Sequence, residues 1–426
     1  MAETILIAEA TSAGADTAAL AGIFEPLFAR IAAGAIEREL DRRLPFEEIR
    51  GLLAAGFGRL RVPREHGGFG ASHQQFFSLL ADLGAADSNI VQALRGHIGF
   101  VEFTRTHPNE EFRRSWFARI AAGALVGNAE SERTGVFSEQ STQVAERDGQ
   151  LLLNGTKYYS TGSIFADWIL VGAAHREGDQ NIAVTVLVAT SHPRVDTVDD
   201  WDGFGQRLTG SGTTVFTDVP VDPGSLTPRD AASPHGSVLH ATYQLVHLAA
   251  LAGIATAALR EVTEFVRGRS RNLFNPAVPA RRDPVALQVL GECFGTVASV
   301  RSTVLGAAAS IDAASAALDE GIEAHDLLAA ADAHVFGVQG TVIDAVLGCT
   351  GRLFEVGGAS ATASGRALDR HWRNARTVSS HNPATYRQQA VGDYLVNGTA
   401  PGELFERLLA AVPAAEYQSH PVASEA

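Results

Sequence analysis

The hydrophobic period of this chain changes twice, and those two changes constrain the fold more than any single motif. From about Asp16 to Gly123 apolar residues return every three or four positions, as in ADTAALAGIFEPLFARIAAGAIERELDRR, which predicts amphipathic helices. From Ala124 the pattern becomes short aliphatic and β-branched runs separated by Asp-Gly and Asn-Gly pairs, clearest in RDGQLLLNGTKYY. That predicts strands and hairpins. At about Gly236 the helical period returns in three long Ala- and Leu-rich segments. The expected organisation is an N-terminal helical domain over 1–124, an antiparallel β module over 125–230 and a helical bundle over 231–426. A chain of 426 residues exceeds what one core normally serves, which agrees with several packed units.

Composition excludes several classes. With 46% hydrophobic and 19% charged residues the chain reads as globular. A net charge of −14 without a compact basic stripe argues against nucleic acid as a partner. The first residues, MAETILIAEA, carry acids and no basic segment, so they do not read as a signal peptide. No uninterrupted apolar run reaches the roughly 18 residues that suggest a membrane span. Cys293 and Cys349 sit in apolar helical contexts without metal spacing and read as buried free thiols of a reducing compartment. The histidines show no HExxH-type spacing, so no metal is expected. The expectation is a soluble, cytoplasmic protein.

Near the C-terminus, LDRHWRNARTVSSHNPATYRQQAVGD joins basic anchors and a polar run to a His-Asn-Pro. Pro383 lacks an N–H and disfavours the α region for Asn382, so His381 and Asn382 are expected on a turn between helices. Polar groups on a turn held by rigid helices suit chemistry. By residues alone His381 is open to two readings, a proton carrier or a histidine that stabilises the turn. His97, in the apolar helix NIVQALRGHIGFVEF, is open to core and functional readings alike.

The order of elements and three motifs resemble the acyl-CoA dehydrogenase superfamily over nearly the whole chain. DGQLLLNGTKYYSTGSIFADWILV looks like that family's strand pair ending beside the flavin. GFGQRLTGSGTTVFTDVPVDP looks like its Gly-x-Arg-x-Ser-x-Thr segment, and Arg373-Asn374-Ala375-Arg376 is similar to the Arg-Asp-Ala-Arg before its catalytic loop. The family's glutamate base falls on Asn382 here, with His381 in the preceding position, and an amide cannot act as a carboxylate base. Together with GNAESERT, that departure resembles the superfamily's flavin-dependent monooxygenase branch, typified by dibenzothiophene monooxygenase.

The resemblance implies an α+β, mainly α fold: an N-terminal helical domain, a central antiparallel β-barrel and a C-terminal four-helix bundle. It implies reduced FMN, rather than FAD, supplied by a separate NAD(P)H-dependent reductase. Oxygen would form a C4a-hydroperoxyflavin that oxygenates a sulfur centre of a small organosulfur molecule. It further implies a homotetramer, and site residues His381, Ser163, Asn128 and His97 for catalysis. Asn128, Thr161, Ser163, His381, Arg271, Arg282, Gly357 and Gly358 would contact the flavin. The alternatives are an FAD-dependent acyl-CoA dehydrogenase with its base elsewhere, an amino-sugar N-oxygenase, and a non-catalytic flavin-fold protein. For Arg271 and Arg282 solvated surface charge, and for the glycine pair a helix cap, also remain open.

Overall fold

A computed structural model of the chain describes residues 16–133, 140–177, 180–229, 234–269 and 278–403. It begins with α1 (Thr17–Ala33) and α2 (Ala35–Asp41), which the period presents as one helix. They are two, bent by 44° at Gly34. Next come α3 (Phe46–Ala54), α4 (His73–Ala93), α5 (Arg95–Thr106) and α6 (Glu110–Ala121). Within α4, Asp87 leaves helical geometry and its carboxylate accepts from the Asn89 N–H at 3.0 Å, so it caps the second half of its own helix.

Among the described residues eight strands follow: β1 (Val126–Ala129), β2 (Gln143–Arg147), β3 (Gln150–Lys157), β4 (Trp168–Glu177), β5 (Gln180–Ala189), β6 (Val195–Thr197), β7 (Thr214–Pro220) and β8 (Leu226–Pro228). The Asp-Gly turn joins β2 to β3 in an antiparallel pair, as its residue chemistry predicts. The expected closed antiparallel barrel is not formed. The sheet is open, in the order β6-β7-β3-β2-β4-β5-β8, and mixed, because β1 and β2 both pair with β4 in parallel. The short peripheral strands β6 and β8 leave the two ends of the sheet unpaired with each other.

The helices that return are α7 (Pro234–Gly268), α8 (Pro284–Asp319), α9 (His325–Gly357), α10 (Asp369–Ser379) and α11 (Ala384–Asn397). α7 packs on α8 and α9 and also receives α4, so one apolar core runs from Leu20 through Leu80, Leu245 and Val304 to Val378. The sheet keeps a separate core around Val144, Ile169, Val186 and Phe216. Burying each such side chain stabilises the fold by about 1.5–3 kcal/mol, so this shared core ties the N-terminal helices to the long ones.

By length and composition the helix over Val238–Gly268 and α8 are both apolar enough to cross a membrane, which the search for uninterrupted runs missed. Most of the first is enclosed by the protein itself. Only 28% of the apolar window of α8 is buried, and Val285, Leu287 and Phe294 face outwards. Both cysteines are buried and free.

Candidate active site

The His-Asn-Pro turn forms where Pro383 was expected to place it, between the end of α10 at Ser379 and the start of α11 at Ala384. Two buried glutamines clamp it. Asn382 Nδ2 donates to Gln244 Oε1 of α7 at 3.0 Å, and Gln339 Nε2 of α9 donates to the Asn382 carbonyl at 3.0 Å. Asn382 Oδ1 can only accept, so the contact at 3.2 Å requires the proton on Nδ1 of His381. In its neutral form His381 therefore presents a lone pair at Nε2.

His381 is exposed to solvent on the turn. Burial first, then the charge of Arg95, lowers its pKa to about 3. Its ring rests against that of His247, with centroids 4.4 Å apart. His247 belongs to a polar stripe of α7, with His240, Tyr243 and Gln244, spaced at i, i+3, i+4 and i+7 on one helix face. Burial holds His240 at about 4 and His247 well below the usual histidine range. Arg95, from the first turn of α5, donates from Nε to the Tyr243 carbonyl at 3.3 Å and lies over the Tyr243 ring. Arg387 of α11 acts with Arg95 to disfavour the charged forms of both His247 and His381.

The sheet and the turns beside it hold a second group of polar residues. Ser163 follows Gly162, whose φ of +80° and approach to the Ala93 carbonyl leave no room for a side chain. The Ser163 hydroxyl donates to the Asn128 carbonyl at 3.1 Å, so its lone pairs remain able to accept. Among the described residues the Asn128 side-chain amide has no partner, and the buried Ser160 hydroxyl has none either. Thr161 shares hydrogen bonds with Ser211 at 2.8 Å, which in turn meets Thr209. The two groups join at Gly96, because a Cβ there would lie 2.7 Å from Asn128 Oδ1. Arg95 is thus one residue from direct packing on Asn128. Glu130, next in line, is paired with Arg229, so this group offers neutral hydroxyls and amides.

Other expected site residues fall elsewhere. His97 is 2% exposed, and both its ring nitrogens are engaged by the main chain. Nε2–H donates to the Gly58 carbonyl at 2.8 Å and Nδ1 accepts from the Val126 N–H at 3.2 Å. No ring nitrogen is left for a substrate, so His97 fastens α5 to the start of β1 rather than joining the chemistry. Gly357 and Gly358 end α9, their region tied to the end of α7 by Arg269, which donates to the Val356 and Gly357 carbonyls. At 1.5 Å per residue Gly357 lies about 27 Å along α9 from Gln339, so the pair cannot share reacting atoms with His381. Arg282 is exposed, with no ion pair among the described residues. Arg271 lies outside the described residues. Arg95, Tyr243, His247 and Arg387 were not anticipated.

The two motif stretches meet as well. Asn374 Oδ1 accepts from the Gln206 N–H at 2.6 Å, and Arg373 donates to the Phe204 carbonyl at 2.7 Å. The RNAR helix thus pins the GFGQRL loop.

Models of the N-terminal and C-terminal domains of acyl-CoA dehydrogenase match residues 25–124 and 245–385. A dibenzothiophene monooxygenase of Rhodococcus qingshengii is 30% identical over 387 residues, covering 87% of this chain and 91% of that one. The chain belongs to the acyl-CoA dehydrogenase superfamily, in its flavin-dependent monooxygenase branch. Solved members of that branch share the fold. TdsC from Paenibacillus sp. A11-2, determined with FMN and indole, superposes with a TM-score of 0.81 at 26% identity, over 88% of this chain and 96% of that one. The methanesulfinate monooxygenase MsuC of Pseudomonas fluorescens gives 0.79 at 26% identity, with the same shares covered.

Proposed function

We propose that this branch member is the oxygenase of a two-component system. It takes reduced FMN from an NAD(P)H-dependent flavin reductase and, with O2, adds one oxygen atom to the sulfur of a small organosulfur compound. The observation that carries this reading is the neutral turn. Where a dehydrogenase of this fold would hold a glutamate base, Gln244 and Gln339 fasten an asparagine, beside two uncharged histidines.

The group beside the sheet fits a flavin. Asn128, Ser160, Thr161 and Ser163 offer neutral donors and acceptors suited to a heteroaromatic edge, and two of them lack other partners. When bound, reduced FMN would activate O2 and supply the oxygen atom. With the flavin bound, Ser163 would accept from a ring N–H through its free lone pairs, and the Asn128 amide would hold a ring oxygen or nitrogen. His381, with its proton on Nδ1, would accept at Nε2 and carry a proton for the reaction. Of the two histidines His247 is buried, and exclusion of water on that side would restrain loss of the oxygen as hydrogen peroxide.

The finer architecture belongs to the same proposal. The division at 124 and 230 marks three domains, and α7, α8, α9 and α11 form the four-helix bundle. The uncovered apolar face of α8 is covered by further copies in a homotetramer.

Rapid mixing of the protein and reduced FMN with oxygenated buffer tests the function. The expected result is flavin reoxidation in resolved phases, slower than that of free FMN, with oxygen transferred to an added organosulfur compound. Reoxidation at the rate of free FMN overturns it, as does bleaching of bound FAD by an acyl-CoA.

A further inference from the structure

The loop over 204–211 is held by α4 and α10, and Gln206 is where the two grips meet. Gln206 is 3% exposed and sits at φ +51°, left-handed backbone that a non-glycine residue rarely adopts. Its main-chain N–H donates to Asn374 Oδ1 of α10 at 2.6 Å, and its Nε2 donates to the Ser88 hydroxyl of α4 at 3.0 Å. Asn89 Oδ1, also of α4, accepts from the Leu208 N–H at 3.2 Å. The break of α4 at Asp87 puts Ser88 and Asn89 at this junction, and Arg38 pairs with Asp87 at 3.0 Å. So fixed, the Gln206 carbonyl accepts twice, from Trp201 Nε1–H at 3.0 Å and from the Thr209 hydroxyl at 2.9 Å. A carbonyl oxygen has lone pairs and no proton, so each contact spends a hydrogen of its partner.

That carbonyl sets the direction of a line of three hydroxyls. Thr209 gives its proton to Gln206, so across 2.7 Å Ser211 must be the donor to Thr209. Ser211 then has no proton for Thr161, and across 2.8 Å Thr161 donates to Ser211. The other contact of the Thr161 hydroxyl is the Tyr159 carbonyl at 3.3 Å, which would take the same proton. Either way the Thr161 proton is spent within the protein, and a lone pair is what Thr161 can offer a ligand. Ser163, two residues on, is in the same condition, because its proton serves the Asn128 carbonyl. Two neighbouring hydroxyls on the turn after β3 are thus held as acceptors.

We propose that the Gln206 carbonyl and Thr209 are positioning groups that make this site selective for reduced over oxidised FMN. This rests on the reading of Thr161 and Ser163 as flavin contacts and adds what sets their polarity. Reduction of the isoalloxazine places a hydrogen on a ring nitrogen that carries only a lone pair in the oxidised ring. A hydroxyl locked as an acceptor meets the N–H of the reduced ring and opposes the lone pair of the oxidised one. A hydroxyl free to turn would serve both forms equally. Thr209 is wholly buried behind Ser211, so it acts through Ser211 and Thr161 rather than on the flavin. The same polarity favours release of oxidised FMN once the reaction is over.

Fluorescence titrations, anaerobic with reduced FMN and aerobic with oxidised FMN, measure both dissociation constants for the wild-type protein, Thr209→Val and Thr209→Ser. Valine keeps the shape of threonine without its hydroxyl, which frees Ser211 to turn its proton towards Thr161. The expected result is a preference for reduced FMN of about tenfold in the wild-type protein. The preference falls towards parity in Thr209→Val, mainly by tighter binding of oxidised FMN, and Thr209→Ser keeps it. Spectroelectrochemistry of bound FMN gives the same ratio independently, since tenfold corresponds to about 30 mV for a two-electron couple. Thr209→Ala carries the test where valine is not accommodated. Equal binding of the two forms by the wild-type protein overturns the inference. So does a Thr209→Val protein that binds both forms more weakly at an unchanged ratio, which makes Thr209 merely structural. A shifted ratio without oxygenation of any organosulfur compound keeps the selectivity and removes the monooxygenase reading. Oxygenation with an unchanged ratio does the reverse.

Discussion

The rings of His247 and His381 lie 4.4 Å apart at 47°, one from the middle of α7 and the other from the turn that α7 and α9 clamp. Both are held neutral, by burial first and by the charges of neighbouring groups next. Removing the imidazole that presents a free Nε2 should injure proton transfer more than binding. His381→Ala is expected to lower kcat by about 100-fold, the lower end for a lost acid–base group, while the yield of hydrogen peroxide per NADH rises. His247→Phe keeps the ring contact and should fold normally, with a smaller loss. Equal product and peroxide yields in wild type and His381→Ala would remove His381 from the chemistry.

Ser163 makes a second prediction, because its proton already serves the Asn128 carbonyl. Ser163→Ala removes an acceptor for the flavin and frees that carbonyl. One such hydrogen bond is worth about 0.5–1.5 kcal/mol, so reduced FMN should bind about threefold to tenfold more weakly. Anaerobic fluorescence titration measures this. An unchanged Kd would mean that Ser163 only shapes the turn.

Much of this was legible in the sequence. The two changes of period located the elements, and Pro383 located the turn. The closed barrel failed because pairing partners are set by tertiary contacts, and no local signal said that β1 and β2 would both join β4 in parallel. His97 was misread because a histidine in an apolar helix looks the same whether its ring meets a substrate or, as here, Gly58 and Val126. The stripe of His240, Tyr243, Gln244 and His247 was readable, since polar residues at helical spacing in an otherwise apolar segment need a reason. Arg95 could not be found that way. What distinguishes it is its place over the Tyr243 ring, which only the fold reveals.

The outward face of α8 gives a third prediction. Phe294 is 65% exposed and Leu287 52%, on a helix whose apolar window is mostly uncovered. Light scattering coupled to gel filtration should report four copies. Phe294→Glu should shift the protein to smaller species, because a carboxylate in an apolar interface is left unpaired. A monomer in the wild-type protein, or a variant with unchanged mass, would assign that face to something other than a second copy.

The fourth prediction follows from His97. Its folded-state pKa is about 4 against an ordinary 6.5, because the ring is fully buried and Nδ1 must keep its lone pair for the Val126 N–H. A depressed pKa means that the unfolded chain binds the proton more readily. The contribution of His97 is therefore complete above pH 6.5 and is lost as the pH falls from 6.5 towards 4. At pH 5 the loss amounts to about 2 kcal/mol for this group, from 1.4 kcal/mol per pH unit. His240, also held at about 4, adds in the same direction. Urea midpoints at pH 7.5 and 5.0 should show the fall in the wild-type protein. His97→Gln retains a donor for Gly58 and an acceptor for Val126 but cannot titrate, so it should be less stable at pH 7.5 and lose less on acidification. A variant with the same pH slope as the wild type would place the acid sensitivity elsewhere.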